Sequence, residues 1–407
     1  MISYSEALAA LLAHKLSLPA ETIPLAQAGG RVLAAEILAD RDYPPFNRAT
    51  MDGYAIRSVD FAKGSVYRAN SWKHAGDSGD PALLSNVSAT SERTCIGIST
   101  GAAVPADFDT VIRVEDSRVD PPGVNVNMPH NVTFVVEQIK HGQNVARQGE
   151  DIGKGQRILG RGTRISPGAT LALASVGATA VSVFKWPRIR VVSCGNEVIP
   201  AESNPWPEQI RDSNSHTCRS FLGAIGLAVE AIDLIPDDPA KLREALRQGL
   251  SADILIVTGG VSKGPHDFIP GLLEELNVTR IFHGVAIKPG KPVFAGYHGG
   301  KIVLALPGNP LSVLVACEIF LRPYLLASTD SSAALSWPMR FQGERKKRSG
   351  LDEFFPSKLN ATGIETAPWN GSGDILAGLC EGFALHPAES AELRDGDLVR
   401  FFPWTGA

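Results

Sequence analysis

Little in this chain suits an oxidised or metal-stapled scaffold. Its five cysteines, Cys95, Cys194, Cys218, Cys317 and Cys380, are odd in number and widely spread, and no C-x-x-C pair occurs. That spacing speaks against a disulfide framework or a structural zinc site. Positive charge is not in excess either. Lys and Arg number 39 against 43 Asp and Glu, a net charge of −4, which argues against nucleic acid as a partner because phosphate backbones demand a basic surface. A local anion site stays open, since a few backbone amides and lysines suffice to build one. No apolar run reaches the roughly 18–20 residues of a membrane span. The longest, Leu311 to Leu321, is interrupted by Ser312 and Glu318 and reads as a buried helix. The first residues lack a basic segment followed by a long apolar one, so no signal peptide and no membrane are expected, and a cytoplasmic protein fits best.

What is present is a turn-rich chain of several domains. Glycine and proline number 40 and 28 in 407 residues, many turns but fewer than the roughly 25–30% of low-complexity chains. The length suits two to four domains. Ser3-Tyr-Ser-Glu6 is a capping box, and Leu8, Leu11, Leu12 and Leu16 follow at helical spacing. A second helix-like stretch surrounds residues 31–36. Beyond Tyr43-Pro-Pro45 the texture turns to short apolar runs with Gly and Ser up to about residue 140, as in a small β domain. Helical character returns at Ser166-Pro167 and stops near Gly177. The expected division is a split N-terminal domain (1–42 and 140–178), an inserted β domain (43–139), an α/β domain (179–330) and a C-terminal β domain (331–407).

From about residue 188 strands and helices alternate, with strands at 189–192, 228–235, 253–257 and 302–306 and helices at 213–225 and 239–250. This pattern predicts a mostly parallel sheet covered on both faces, with ligands at the carboxyl ends of its strands. The strongest local signal follows the clearest strand: Thr258-Gly259-Gly260-Val-Ser262-Lys-Gly264, then Pro265 and Asp267 leading into a helix. Glycines let the backbone approach a ligand, and a helix N-terminus favours an anion. Asp267 reads either as an N-cap or as a Mg²⁺ ligand neutralising a phosphate. The same stretch satisfies G-x-S-x-G, which would make Ser262 a hydrolase nucleophile with His283, His298 or His386 as its base, but no oxyanion segment of the expected kind lies upstream. Lys288-Pro-Gly-Lys291-Pro292 is a stiff cationic loop, and stiffness limits the entropy lost when lysines are fixed. Pro307-Gly-Asn309-Pro310-Leu-Ser312 is a third loop between strand and helix, where Asn309 also suits an N-cap. Glu197 and the pair Asp237-Asp238 follow two further strands. Acids and lysines at one sheet edge suit Mg²⁺ and phosphate chemistry. Residues 345–348, Arg-Lys-Lys-Arg, read as a solvated charge run, and Trp369 and Trp404 as packing or rim residues.

In order along nearly the whole chain, these segments resemble the molybdopterin molybdenumtransferase family, the MoeA proteins and the gephyrin E domain. The likeness rests on Thr50-Met-Asp52-Gly-Tyr-Ala55, Thr100-Gly101 with Val104-Pro105, Arg147-x-Gly-Glu-Asp151, Gly195-Asn-Glu197, Gly259-Gly-Val-Ser262 with Gly264 and Asp267, Ile287-Lys-Pro-Gly-Lys-Pro292 and Pro307-Gly-Asn-Pro310. Gly371-Ser-Gly373 and Gly396-Asp397 complete it. The resemblance implies an elongated multidomain α/β plus β protomer, usually a homodimer, whose α/β domain is similar to molybdopterin adenylyltransferase. It implies that adenylylated molybdopterin and molybdate yield molybdenum cofactor and AMP with Mg²⁺. By that carry-over Asp267 and Glu197 serve metal and pyrophosphate, and Asp52 and Asp151 line the cleft, from the partner subunit in one version. Lys288 and Lys291 serve molybdate or phosphate. Thr100, Gly259, Gly260, Ser262, Gly264, Pro307, Asn309 and Ser312 contact substrate. Expected partners are a molybdopterin adenylyltransferase and apo-molybdoenzymes or their chaperones; a non-catalytic scaffold on the same fold is the alternative. Asn196 stands where the family often has Asp, Lys263 and His266 make the glycine loop more cationic, and the arginines usual before the Glu353-Phe354 pair are missing.

Overall fold

In the computed structural model, residues 1–77, 93–262, 268–347, 350–371 and 374–406 are described. The chain forms two compact units, one of residues 1–35, 160–170 and 179–407, the other of 36–159 and 171–178. The architecture is multidomain, α/β plus β. This division is coarser than the four parts expected, and it groups the first 35 residues with 179–407. The reason lies in packing: the opening helix Tyr4–Leu12, closed by the Ser3–Glu6 capping box, sets the Tyr4 ring edge-on to Phe320 and Phe354 at 5.7 and 5.3 Å.

The heart of the larger unit is a sheet of strands β1 (Ile189–Cys194), β2 (Ala231–Ile235), β3 (Ile254–Thr258), β4 (Thr279–His283), β5 (Phe294–His298) and β6 (Lys301–Leu306). Their order is β2-β1-β3-β6-β5-β4. The first four run parallel, and β5 runs antiparallel to both of its neighbours, β6 and β4. Strand β3, Ile-Leu-Ile-Val-Thr, is buried throughout, as a strand covered on both faces must be. Its alternate residues feed two cores: Ile254 and Ile256 enter one, Leu255 and Val257 the other. Helices α1 (Asn214–Ala224), α2 (Pro239–Gly249), α3 (Ile269–Glu275) and α4 (Pro310–Ala316) connect or follow these strands. Asp238, a metal candidate by sequence position, instead caps α2 by accepting the amides of Ala240 and Lys241.

The helix expected over 311–321 is longer. From α4 the chain continues through a π-turn, Cys317–Leu321, into Arg322–Ser328. Pro310–Ser328 is, among the described residues, the helix long and apolar enough to cross a membrane, yet 78% of its apolar window is buried within the fold. Glu318, which seemed to interrupt it, is buried and accepts from Arg322 and Thr405. The helix expected over 31–36 is absent, because Val32 and Leu33 are extended and bridge Arg164 and Val183.

In the C-terminal part Trp337–Gln342, Asp352–Leu359, Ile364–Thr366, Gly382–His386 and Leu398–Pro403 form one sheet, and pairing of Asp352–Leu359 with Gly382–His386 closes these strands into a ring. The smaller unit is built on a sheet of Gly53–Ile56, Val66–Lys73, Thr94–Ile98, Thr110–Arg113, Ser117–Asp120 and His130–Phe134, with Tyr54, Tyr67 and Phe134 in one of its cores.

Candidate functional site

The four parallel strands all end at one edge, and their loops enclose a cleft of about 680 Å³. Strand β3 runs into Gly259 and Gly260, with φ of +91° and +65°. A β-carbon on Gly259 would stand 2.4 Å from the Cys194 carbonyl oxygen, and one on Gly260 would stand 2.9 Å from Ile269 Cγ1. Both positions therefore require glycine. The turn is tied to the neighbouring loop, since the Gly259 amide donates to Leu306 O at 3.0 Å and Gly308 lies against Gly259. After β6, Pro307 and Gly308 lead to Asn309 at the start of α4, and Asn214 donates to Gly308 O at 2.7 Å. After β1 and β2, Asn196 and Asp237 hold each other: the Asn196 amide donates to Asp237 Oδ2 and the Asp237 amide to Asn196 Oδ1.

The cleft thus brings together Glu197, Gly259, Gly260, Ser262, Lys288, Lys291, Pro307, Asn309 and Ser312. Asp267 and Gly264 lie outside the described residues. The loop 288–292 is fixed by bonds from the Val285 amide to Lys291 O and from the Val293 amide to Gly290 O. Glu197 is exposed and Ser312 buried. Of the charge run, Lys346 is solvated as expected and Arg348 lies outside the described residues, but Arg345 and Lys347 depart from that expectation. Arg345 is mostly buried against Glu353, and Lys347 turns inward to donate to the carbonyls of Leu351, His386 and Pro387. Burial holds the pKa of Lys347 below the ordinary lysine value.

Several cleft residues were not expected from sequence. Asp212 is buried, accepting from Ser193 Oγ and Ser215 N at 3.1 Å and from Ser215 Oγ at 2.6 Å. Its only sequence signal was a polar triplet before a helix, which capping explains equally well. Trp369 lines the cleft as well. The hydrolase arrangement is not assembled: His283 Nε2 is bonded to Val261 O, His298 Nδ1 to Asn277 O, and His386 is fully buried in the C-terminal sheet.

The cleft's described carboxylates are Glu197, Asp237 and Asp212; Asp212 is spent on Ser193 and Ser215, which leaves Glu197 and Asp237 as the described donors for Mg²⁺. No group of three His, Cys, Asp or Glu side chains forms a metal cluster among the described residues. Mg²⁺ keeps several waters and takes phosphate oxygens, so one or two carboxylates fit its needs.

Asp52, Thr100 and Asp151 belong to the smaller unit. The Thr100 amide donates to Asp52 Oδ1 at 2.6 Å, and that bond and the Thr100 hydroxyl hold the Asp52 carboxyl below its ordinary pKa. Pairing of Val145–Ala146 with Arg48–Ala49 and a bond from Asp151 N to Tyr43 O run the segments carrying Asp52 and Asp151 side by side.

The class these features define is an α/β protein with an anion-suited cleft at its parallel strand ends, carried in a multidomain chain. Residues 2–177 match the MoeA N-terminal region (domain I and II), and residues 190–327 match the probable molybdopterin binding domain. The chain is 36% identical to the molybdopterin molybdenumtransferase of Synechococcus elongatus over 98% of each chain. It is 31% identical to that of Synechocystis sp. over 99% of this chain and 100% of the relative. Its fold matches the crystal structure of the molybdopterin biosynthesis MoeA protein from Pyrococcus horikosii with a TM-score of 0.80 and 28% identity, covering 100% of both chains. The chain belongs to the molybdopterin molybdenumtransferase family, transferases of molybdenum cofactor biosynthesis.

Proposed function

We propose that this protein inserts molybdenum from molybdate into adenylylated molybdopterin, releasing AMP and molybdenum cofactor with Mg²⁺ bound. The observation that carries this reading is the convergence of the glycine turn, the two-lysine loop and the Pro307–Ser312 loop on one cleft in a chain of this family. Both substrates are anions, and molybdate must be brought to the dithiolene sulfurs of a polyanionic pterin. Lys288 and Lys291 offset that repulsion. The amide-rich turn at Gly259–Gly260 admits phosphate close to backbone, and ordering two anions in one cleft supplies the proximity on which the reaction depends. The phosphoanhydride breaks with water's oxygen going to phosphorus, and the dithiolene sulfurs displace an oxo group of molybdate that leaves as water. Mg²⁺ supplies charge neutralisation at the phosphates, with Glu197, Asp237 and Asp267 as its holders. Asp52 and Asp151 approach the substrate from a partner subunit of a homodimer, and a molybdopterin adenylyltransferase supplies the nucleotide-linked pterin in the cytoplasm.

The deciding experiment is AMP release from adenylylated molybdopterin as molybdate is titrated, with Asp267→Asn alongside. Molybdate-dependent AMP, cofactor that activates an apo-molybdoenzyme, and loss of both in the variant are expected. Tight nucleotide binding without release at any molybdate concentration would replace this reading with a scaffold.

A further inference from the structure

The lysine loop and the C-terminal sheet share a strand pair that carries charge. Ile287–Lys288 runs parallel to Asp352–Glu353, with Lys288 opposite Glu353. The Lys288 ammonium donates to Glu353 Oε1 at 2.9 Å, and the Arg345 guanidinium donates to the other oxygen, Oε2, at 2.8 Å. Trp369 stands against both cations, its ring 5.3 Å from Lys288 Nζ and 5.8 Å from Arg345 Cζ. Exposure separates the three: the side chains of Glu353 and Arg345 are 4% and 14% exposed, that of Lys288 52%. Lys288 lines the cleft; Arg345 does not.

A lysine paired one-to-one with a carboxylate is neutralised and makes a poor partner for an oxyanion. Here a second cation occupies the same carboxylate from its buried side. The trio carries one net positive charge, and the exposed member is the lysine. Burial pushes the Glu353 carboxyl up, but the Lys288 hydrogen bond and the Lys288 and Arg345 charges outweigh it and hold the group ionised.

We infer that Arg345 is a positioning residue for oxyanion binding: by neutralising Glu353 from behind, it leaves the charge of Lys288 available to an anion in the cleft. This rests on reading the cleft as the molybdate site. The test follows from charge. Removing Arg345 leaves the trio neutral, removing the Glu353 charge leaves it at two positive, and removing both restores one.

Calorimetric titration of molybdate into the full chain should therefore place R345Q weakest, by about tenfold, the worth of one charge-assisted interaction. The double variant R345Q/E353Q should return towards wild type, and E353Q should bind tightest at low salt. AMP release measured beside it should show R345Q raising the molybdate half-saturation with its maximal rate retained. A double variant that binds more weakly than R345Q would mean that the two residues merely support the fold, and would overturn the inference. So would R345Q binding as wild type, E353Q binding more weakly than wild type (the deciding comparison if R345Q fails to fold), or no binding by wild type. Binding in the expected order without AMP release would retain the inference and remove the proposed reaction.

Discussion

The larger unit holds two cavities of nearly equal size, about 680 and 630 Å³, and they differ in what their walls have left to offer. The second is lined by Trp186, Trp337 and Trp404 with Arg161, Arg164 and Arg322. Those arginines bond within the fold: Arg161 to Asp330 and Ala34 O, Arg164 to Ile225 O, Arg322 to Glu318. The first cavity is walled by loops at the ends of parallel strands, with Lys288 kept half-exposed and Lys291 exposed. Volume is common to both. What distinguishes the first is its place at the ends of the parallel strands and the exposed Lys291 there, since Arg161 on the second wall is as exposed as Lys288, 52% each.

Glycine gives the strongest way to break this comparison. Gly259 in the first cavity and Gly162 in the second both have positive φ, and in both a β-carbon would meet a carbonyl oxygen, at 2.4 and 2.2 Å. Gly259→Ala is expected to lower turnover by about a hundredfold or more, since misplacement of about 1 Å suffices for that, and to cost roughly 1–3 kcal/mol of stability through strain. Gly162→Ala should show a similar loss of stability in thermal unfolding, with turnover per folded molecule retained. Equal loss of turnover in both would dissolve the distinction.

Acid should act on the C-terminal sheet that pairs with the lysine loop. His386 is fully buried and pairs across the sheet with Glu353; burial, then the Lys347 and Arg345 charges, push its pKa down to about 4. The unfolded chain takes up this proton near the ordinary pKa of about 6.5, before the folded one does. Its contribution is therefore full above that pH and lost as pH falls towards about 4, a change of about 3 kcal/mol. Urea unfolding of wild type and His386→Phe between pH 7 and 4.5 checks it: wild type should lose stability more steeply, and parallel curves would exclude the histidine as the cause.

The smallest effect is on binding. Lys291→Ala should raise the molybdate half-saturation about tenfold, while Arg164→Ala, whose guanidinium already donates within the fold, should leave it unchanged. An Arg164→Ala effect as large as that of Lys291→Ala would make the second cavity a competing anion site.

Much of this was legible in the residues. Buried runs such as Ile254–Thr258 announce parallel strands, and glycines directly after them announce loops at the sheet edge. The N-terminal capping box was equally readable. Long-range pairing was not. Residues 31–36 have helical composition but are drawn into extended bridges with Arg164 and Val183, partners distant in sequence. Arg345 and Lys347 looked like a solvated run because sequence cannot show that Glu353 and three carbonyls wait for them. Asp212 and Asn214 were hidden for the opposite reason: their local pattern had a sufficient explanation in capping.

The parallel strand pair between Ile287–Lys288 and Asp352–Glu353 also bears on how this chain can be recombined. A break after Ser328 separates the α/β part from the C-terminal part in sequence, but the strand that frames the lysine loop lies beyond it. An exchange of C-terminal segments between relatives must therefore carry residues matched to both sides of that pair. The amide of Asp352, which donates to Ala286 O across this pair, should accordingly exchange with deuterium more slowly while the lysine loop stays in place and faster once that loop is cut away.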